Sequence, residues 1–277
     1  MSQELVRVLD DLREKGVHLP LSINAAPAGL ETVRVSELLD GGPRLREIVE
    51  RIAQRKGTDD LAAAASLFQK RYCGQLLASI LTPLTHLGLG LSATAECMEI
   101  VLVEDLPAGL VLHVSAAPTV LRERLAQEDA LGAFPRAQSE EQLRQMVFHA
   151  MFDENIGRLS MQIATEIGLS LRVMWGNIGN YACYLCDELC KTPDLKQHAI
   201  RDRDALLNCT GFESSQPLSC ACDSIYLEEA NPPRWLRVRS TCCLAYKFAG
   251  HTPCYTCPRL SREERVAALG EKALHKA

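Results

Sequence analysis

The sequence predicts an α+β protein with a mostly helical body, a small antiparallel sheet and a C-terminal cysteine segment. Three observations support this class: long alanine- and leucine-rich runs, two β-rich runs joined by turn residues at 98–115, and four cysteines among the last forty residues. The 277 residues are 47% hydrophobic and 23% charged, which is typical of a globular protein with its own core.

The N-terminal part of the chain is expected to be helical. Residues 2–16 predict a helix closed by Gly16, and 17–57 form a Pro/Gly-containing segment with a short helix near 44–55. Thr58 is the expected N-cap of a long, largely buried helix that Pro83 should end.

The middle of the chain combines a hairpin with further helices. The β-rich runs at 98–104 and 110–115 surround turn residues at 105–109, which indicates an antiparallel hairpin. Ser139 and Gln142 form a capping-box pattern for a helix running to about Gly168. Two more helices are expected, one from Ser170 to about 190 and one over 194–207.

After Pro232 and Pro233, residues 234–240 alternate as a strand that leads to the first C-terminal cysteine. Leu236 and Val238 should share one face, with Trp235, Arg237 and Arg239 on the other. A short amphipathic helix should begin near 261. We therefore expect three regions: a segment of unclear role at 1–57, an α+β body at 58–232, and a C-terminal segment at 233–277.

Composition limits the cellular setting and the partners. The charged N-terminus lacks the pattern of a secretory signal, so we expect a cytoplasmic protein. We also expect a monomer. The uncharged stretch at 73–95 contains proline, threonines and three glycines, which favours a buried helix and a turn over a membrane span. Peripheral membrane association is an alternative, and no nucleic-acid partner is expected.

Charge is unevenly distributed along the chain. Residues 234–277 hold nine Lys or Arg against three acids, a net charge of +6, which leaves −11 on the rest. A basic segment suits docking of an acidic electron carrier or an anionic ligand. A solvated basic tail explains the charge equally well.

The C-terminal cysteines are spaced like metal ligands: Cys242-Cys243, ten residues, then Cys254-x2-Cys257. Neighbouring Cα atoms lie ~3.8 Å apart, short of the ~5.5 Å of an unstrained disulfide, so Cys242 and Cys243 should not pair with each other. Four thiolates are sufficient for one iron–sulfur cluster and could also bind zinc. We favour a [2Fe–2S] cluster, and zinc or inert thiols remain the alternatives.

The other cysteines have less defined roles. Twelve cysteines without an export signal favour metal binding or catalysis over a disulfide scaffold. We assign Cys73 and Cys97 to packing. For the other six, a second metal site or a redox disulfide is an alternative to packing, which is the commoner use of a free cysteine. They are Cys183, Cys186 and Cys190 on one helical face, and Cys209, Cys220 and Cys222 later in the chain.

Three segments resemble one known family. The run RVRSTCCLAYKFAGHTPCYTCP resembles the C-terminal signature of the FhuF-like ferric siderophore reductases, and IGLSLRVMWGNIGNYA resembles a stretch of their helical part. The helix LFQKRYCGQLLASILTPL followed by a strand pair is similar to the same fold, which is akin to the C-terminal part of aerobactin-type siderophore synthetases. The similarity covers roughly residues 60–260.

This resemblance implies a cytoplasmic reductase that passes one electron to Fe(III) in a siderophore, often a hydroxamate. Carried over residue by residue, Cys242, Cys243, Cys254 and Cys257 would hold the [2Fe–2S] cluster. The chain shows no nicotinamide or flavin motif, so a separate ferredoxin or a reduced flavin should supply the electron. The competing functions are a zinc-stapled siderophore-binding or interaction module and an iron–sulfur redox sensor.

Substrate contacts are expected from two groups of residues. By analogy with the family, Trp175, Asn177 and Asn180 line a cleft, although a tryptophan on an apolar helix face is more often core. Siderophore oxygens accept hydrogen bonds, so basic residues are further candidates: Lys70, Arg71, Arg237 and Arg239. His251 lies within the cysteine loop, where a role without metal is favoured because four cysteines are available.

Overall fold

The computed structural model describes residues 2–114, 119–121, 134–209, 218–230 and 232–274. The predicted α+β class with a mostly helical body is confirmed. The helices are α1 (Ser2–Glu14), α2 (Arg44–Arg55), α3 (Leu61–Leu87), α4 (Glu140–Phe148), α5 (Arg158–Ile167), α6 (Leu171–Leu189), α7 (Lys196–Leu207) and α8 (Arg262–Leu274). The strands are β1 (Leu21–Ile23), β2 (Glu31–Arg34), β3 (Leu89–Gly90), β4 (Met98–Val103), β5 (Leu106–Leu112), β6 (Thr119–Leu121), β7 (Arg136–Ala137), β8 (Cys222–Leu227) and β9 (Arg234–Arg239).

The strands form small separate sheets. One sheet has the order β1-β5-β4-β2, in which β1 runs parallel to β5 and the other pairs are antiparallel. A second sheet has the order β3-β6-β7, and β8 pairs antiparallel with β9. The predicted hairpin is therefore antiparallel, but the sheet that contains it is mixed.

The buried α3 lies at the centre of the main core. It contacts α2, α6 and β5, and its side chains Phe68, Tyr72 and Leu76 are fully buried. The same core includes Leu5 and Leu9 of α1, so the segment at 1–57 packs on the body. No helix in the described part of the chain combines the length and apolarity needed to cross a bilayer.

Both predicted ends of α3 were wrong. Asp60, not Thr58, is the N-cap, since its carboxylate accepts a hydrogen bond of 2.8 Å from the Ala63 N–H. Pro83 does not end the helix, which continues one turn to Leu87 and closes at Gly88 with φ +61°. A proline this near the end removes only one backbone hydrogen bond, and burial of the last turn offsets that loss.

The hairpin turn is tighter than the sequence indicated. Glu104 and Asp105 carry positive φ values of 51° and 67°, as in a type I′ turn of two residues. The expected turn residues at 106–109 instead belong to β5. Arg51 and Arg55 of α2 each place a nitrogen 2.9 Å from the Asp105 carboxylate, and these ion pairs hold the strained turn against the helix.

The helix expected from 139 to 168 is present but is interrupted. Ser139 caps it by accepting from the Gln142 N–H at 3.1 Å, and Gly168 closes it at φ +79°. Between α4 and α5, however, a π-helix spans His149–Gly157. It contains the fully buried Asn155, which accepts from the Tyr72 hydroxyl at 2.5 Å and donates to the Ala93 carbonyl at 2.7 Å.

Candidate metal centre

The hairpin of β8 and β9 delivers the chain to the four C-terminal cysteines. Strand β9 was predicted, whereas β8 was not, because its polar residues show little alternation. Cys222 pairs with Arg239 at the cysteine end of the hairpin. The Arg239 N–H then donates to the Thr256 carbonyl at 3.0 Å, which returns the second cysteine pair to the end of β9.

Cys257 lies within electrostatic reach of the three other thiols. Burial raises the pKa of Cys257, and the thiols of Cys242, Cys254 and Cys243 raise it further. Cys257 is buried, whereas the other three are partly exposed. Over the residues that the structure describes, however, no three His, Cys, Asp or Glu side chains come close enough to hold a metal ion.

The local backbone suits sulfur ligands. The Leu244 N–H points at the Cys242 sulfur at 3.4 Å, and Leu244 itself adopts a left-handed φ of +63°. The Cys257 N–H donates to the Cys254 carbonyl at 2.8 Å, which folds the Cys-x2-Cys stretch into one turn. Donors aimed at sulfur are a common means of tuning thiolate-bound metals.

Arg239, at the end of β9, is buried with only 2% of its surface exposed. One guanidinium nitrogen donates to the Asn177 side-chain oxygen, and Nε has no hydrogen-bond partner. Within the described ranges, no carboxylate forms an ion pair with it. A buried cation of this kind is costly unless a negative charge lies nearby.

Arg265, on α8, is a second buried arginine, with 4% of its surface exposed, and it lies beside the second cysteine pair. It donates to the Tyr255 carbonyl at 2.6 Å and to the Leu260 carbonyl at 3.0 Å, and its Nε has no partner. Burial lowers its pKa, whereas Cys257 and Cys254 act in the opposite direction. Four thiolates around a metal carry net negative charge, so this donor set and its two arginines fit a thiolate-bound centre. Charge alone does not distinguish iron–sulfur from zinc.

A buried polar network links the cysteine segment to the helical core. Asn177 of α6 donates to Ser66 Oγ and to Gln69 Oε1, both at 3.1 Å. Ser66 of α3 in turn donates to the Cys243 carbonyl at 2.9 Å. The network runs from Arg239 through Asn177 to Cys243, so α3 and α6 fix both sides of the first cysteine pair.

Close packing against α6 places the residue before the first cysteine. A Cβ on Gly176 would lie 1.8 Å from Thr241 Oγ1 and 3.0 Å from Thr241 Cβ. Only glycine admits this approach. On the other side of the loop, Lys247 forms an ion pair with Asp60, the N-cap of α3.

The predicted substrate residues are spread over different environments. Trp175 is 7% exposed and packs edge-on against Phe152, with centroids 6.1 Å apart, and Asn177 belongs to the buried network. Asn180 is partly buried, and its side-chain oxygen has no partner. Arg237 pairs with Asp187 at 2.6 Å.

The remaining candidates lie closer to solvent. Lys70 is half-buried and Arg71 exposed on α3. Two effects lower the pKa of the exposed His251 in the cysteine loop: burial first, and then the positive charge of Lys70. Lys70 therefore lies near the loop. A cleft of about 800 Å³ between α1, α3 and α6 is lined by residues such as Lys15, His86 and Tyr181, and none of the four cysteines lines it.

Sequence reasoning missed several residues of this site. Arg265, Ser66, Gln69 and Asp60 carry no motif, and their roles depend on contacts between distant parts of the chain. Ser66 and Gln69 are spaced at i and i+3, so one signal was available: two polar residues on the same face of an otherwise apolar helix.

A family model described as "Ferric iron reductase FhuF-like transporter" matches residues 66–230 of the chain. The matched range contains most of α3, the β4–β5 hairpin, α6 and β8, and it ends before the four cysteines. No curated protein matches at a significant level.

Solved structures show a similar fold at low identity. ATP-bound aerobactin synthetase IucA from a hypervirulent pathotype of Klebsiella pneumoniae matches with a TM-score of 0.62 and 15% identity, covering 75% of this chain and 42% of that one. Petrobactin biosynthesis protein AsbB from Bacillus anthracis str. Sterne matches with a TM-score of 0.57 and 14% identity, covering 75% and 41%. The chain spans less than half the length of these proteins, and the likeness shows the fold alone.

Proposed function

The chain belongs to the FhuF-like ferric iron reductase family, and on that premise we propose that it reduces Fe(III) bound by a siderophore of hydroxamate type. In this proposal Cys242, Cys243, Cys254 and Cys257 hold a [2Fe–2S] cluster. When bound, the cluster supplies one electron at a time to the ferric substrate.

The observation that supports this most is the pair of buried arginines beside the cysteines. Arg239 and Arg265 are 2% and 4% exposed, and neither has a carboxylate partner in the part of the chain that the structure describes. Four thiolates around iron would supply the missing negative charge.

The choice of iron–sulfur over zinc rests on the family. A ferric iron reductase must carry or pass an electron, and zinc has no redox chemistry in proteins. Electrostatic interactions with the three other thiols each raise the pKa of Cys257. The four cysteines lie in irregular backbone on either side of a short 3₁₀ segment at Ala245–Lys247, and we infer that cluster binding draws this loop together.

Reduction would release iron for a simple chemical reason. Siderophores hold Fe(III) through hard oxygen donors, and Fe(II) is a softer ion that such donors hold less well. A reductase therefore needs to bring the chelate close to the electron source without binding it tightly. Turns at the molecular surface suit such a brief encounter.

Substrate contacts are proposed at the rim of the cysteine loop. Lys70 lies near the loop and would supply positive charge there, where siderophore oxygens can accept hydrogen bonds. Arg71 and Arg237 are proposed as further donors to the substrate, although Arg237 pairs with Asp187. Trp175 and Asn177 are buried and would act indirectly: Trp175 packs α6 against Phe152, and Asn177 holds the polar network together. Asn180 is proposed as a substrate contact because its side-chain oxygen has no hydrogen-bond partner. We propose a ferredoxin or a reduced flavin as donor, and the cytoplasm as the location because it keeps thiols reduced.

Single-turnover mixing tests this function. Protein reduced without oxygen is mixed with a ferric hydroxamate siderophore and a chelator specific for Fe(II). We expect the visible spectrum of the oxidised protein to return at the same rate as the Fe(II) complex forms. Reoxidation without Fe(II), or a colourless protein with bound zinc, would contradict the proposal.

A further inference from the structure

A second pair of cysteines lies apart from the four at the C-terminal loop. Cys183 of α6 and Cys222 of β8 are 39 residues apart in sequence, yet their sulfurs are 3.4 Å apart, with the Cys222 thiol donating to Cys183. Both side chains are partly exposed. A small reagent can therefore reach the pair, unlike the buried Cys186 one turn further along α6.

Glycine at position 179 produces this contact. A Cβ there would lie 2.3 Å from the Ala221 Cβ and 2.7 Å from the Leu218 carbonyl oxygen, so only glycine lets this 3₁₀ turn (Leu218–Ala221) reach α6. Cys222 follows the turn directly, and Cys183 lies one helical turn after Gly179. The two sulfurs are thus held together by tight backbone packing on both sides.

The surroundings shift the pKa values of the two thiols in opposite directions. The hydrogen bond from Cys222 lowers the pKa of Cys183, and Arg237 lowers it further, while Asp187 opposes. The same hydrogen bond and burial raise the pKa of Cys222. Burial raises the pKa of the neighbouring Cys186 to about 12. Cys183 is therefore the thiol of this group best suited to attack another sulfur.

We propose that Cys183 and Cys222 form a redox-active dithiol that exchanges with low-molecular-weight disulfides. Cys183 gives its proton to water, and its thiolate attacks one sulfur of the small disulfide. An S–S bond to Cys183 forms, the S–S bond of the small disulfide breaks, and the released thiolate takes up a proton from water. Cys222 then attacks the Cys183 sulfur, and its proton passes to the second released thiolate. The two protein thiols are oxidised to one disulfide, and the small disulfide is reduced to two thiols.

This disulfide would connect α6 to the hairpin that carries the C-terminal cysteines. Cys222 is the cross-strand partner of Arg239, and the Ser240 N–H donates to the Ala221 carbonyl at 2.9 Å. The bond would therefore fasten the base of the hairpin where Arg239 reaches Asn177. The site needs no metal for its own chemistry.

Peptide mapping of the full-length protein tests the proposal. The purified chain is incubated with oxidised glutathione, its remaining thiols are alkylated, and fragment spectra assign each cysteine. We expect a Cys183–Cys222 disulfide that dithiothreitol reverses, with Cys186 still alkylated. Free Cys183 and Cys222 after incubation, or links from Cys183 spread over Cys186 and Cys190, would overturn it.

Two variants separate the roles within the pair. In Cys222→Ser the second step is blocked, so Cys183 should retain one glutathione as a stable mixed disulfide. Cys186→Ser is the matched control, because it removes a thiol from the same helix and should leave the Cys183–Cys222 bond intact. If Cys183 carries no glutathione in Cys222→Ser, Cys183 is not the attacking thiol. If a variant fails to fold, the peptide map of the wild-type protein still shows whether Cys183 and Cys222 form the disulfide.

Discussion

Arg239 connects the cysteine loop with the rest of the protein at the level of a single side chain. It is almost fully buried, it donates to Asn177, and its backbone N–H holds the second cysteine pair. The sequence placed it on the same face as Trp235, which is 70% exposed. The alternation of residues 234–240 correctly predicted strand β9. The burial of Arg239 at its end depends on contacts with α6 and the returning cysteine loop, and local alternation carries no information about those contacts.

Arg239→Met should lower the reduction potential of the proposed cluster. Reduction adds a negative charge, and a nearby cation stabilises the reduced form more than the oxidised form, so its loss favours oxidation. We expect a decrease on the order of 60 mV, equivalent to a tenfold change in a one-electron equilibrium. Arg234→Met removes the same charge from the exposed start of β9 and serves as the control in a spectroscopic redox titration. An unchanged potential in Arg239→Met would contradict the proximity of this charge to the cluster.

At the scale of elements, the helices were predicted better than the contacts between them. Apolar periodicity and end signals such as Gly16, Ser139 and Gly168 gave α1, α4, α5 and α6 close to their observed positions. The π-helix at His149–Gly157 and the two-residue turn at Glu104 and Asp105 were missed. Both depend on tertiary partners, Tyr72 for the π-helix and the arginines of α2 for the turn.

Gly176→Ala should displace the segment that leads into Cys242. The added methyl would overlap Thr241, and overpacking of this kind costs about 1–3 kcal/mol. The free energy of unfolding, measured by urea denaturation, should fall by this amount, and iron content should fall with it. Thr241→Gly in the same chain should restore both. Gly42→Ala is the control, because a Cβ there meets nothing within 4 Å; equal stability losses in the two single variants would contradict the packing argument.

Asp60→Ala removes the N-cap of α3 and the ion pair to Lys247 in the cysteine loop. Loss of an N-cap costs about 1 kcal/mol of stability at neutral pH. The hydrogen bond from Lys247 and the Ala63 N–H lower the pKa of Asp60 against burial. Its stabilisation is therefore complete above the unfolded pKa of ~3.9 and disappears as the pH falls through the lower folded pKa.

Urea unfolding at several pH values checks this. The difference between wild type and Asp60→Ala should be constant from neutral pH to about pH 5 and shrink in stronger acid. Asp59→Ala, which changes the exposed neighbouring carboxylate, should have little effect at any pH. A difference that grows in acid would have the wrong sign for a carboxylate with a lowered pKa.

In the molecule as a whole, the family match and the four C-terminal cysteines lie in different parts of the chain. The family match ends at residue 230, and the similar siderophore synthetase structures share the fold at about 15% identity. The cysteine loop lies beyond the match and packs on α3 and α6 through Ser66, Asn177 and Asp60. The spacing of the C-terminal cysteines could thus be read from the sequence, but their packing against α3 and α6 could not.

Iron and acid-labile sulfide analysis of protein purified without oxygen shows whether the four cysteines hold a cluster. We expect two iron atoms and two sulfides per chain, with a visible spectrum that dithionite bleaches. Cys254→Ser should lose both while its far-ultraviolet circular dichroism stays helical, and Cys97→Ser, outside the loop, should retain both. Stoichiometric zinc without sulfide, or full iron and colour in Cys254→Ser, would contradict the claim that these four thiols hold an electron-transferring cluster.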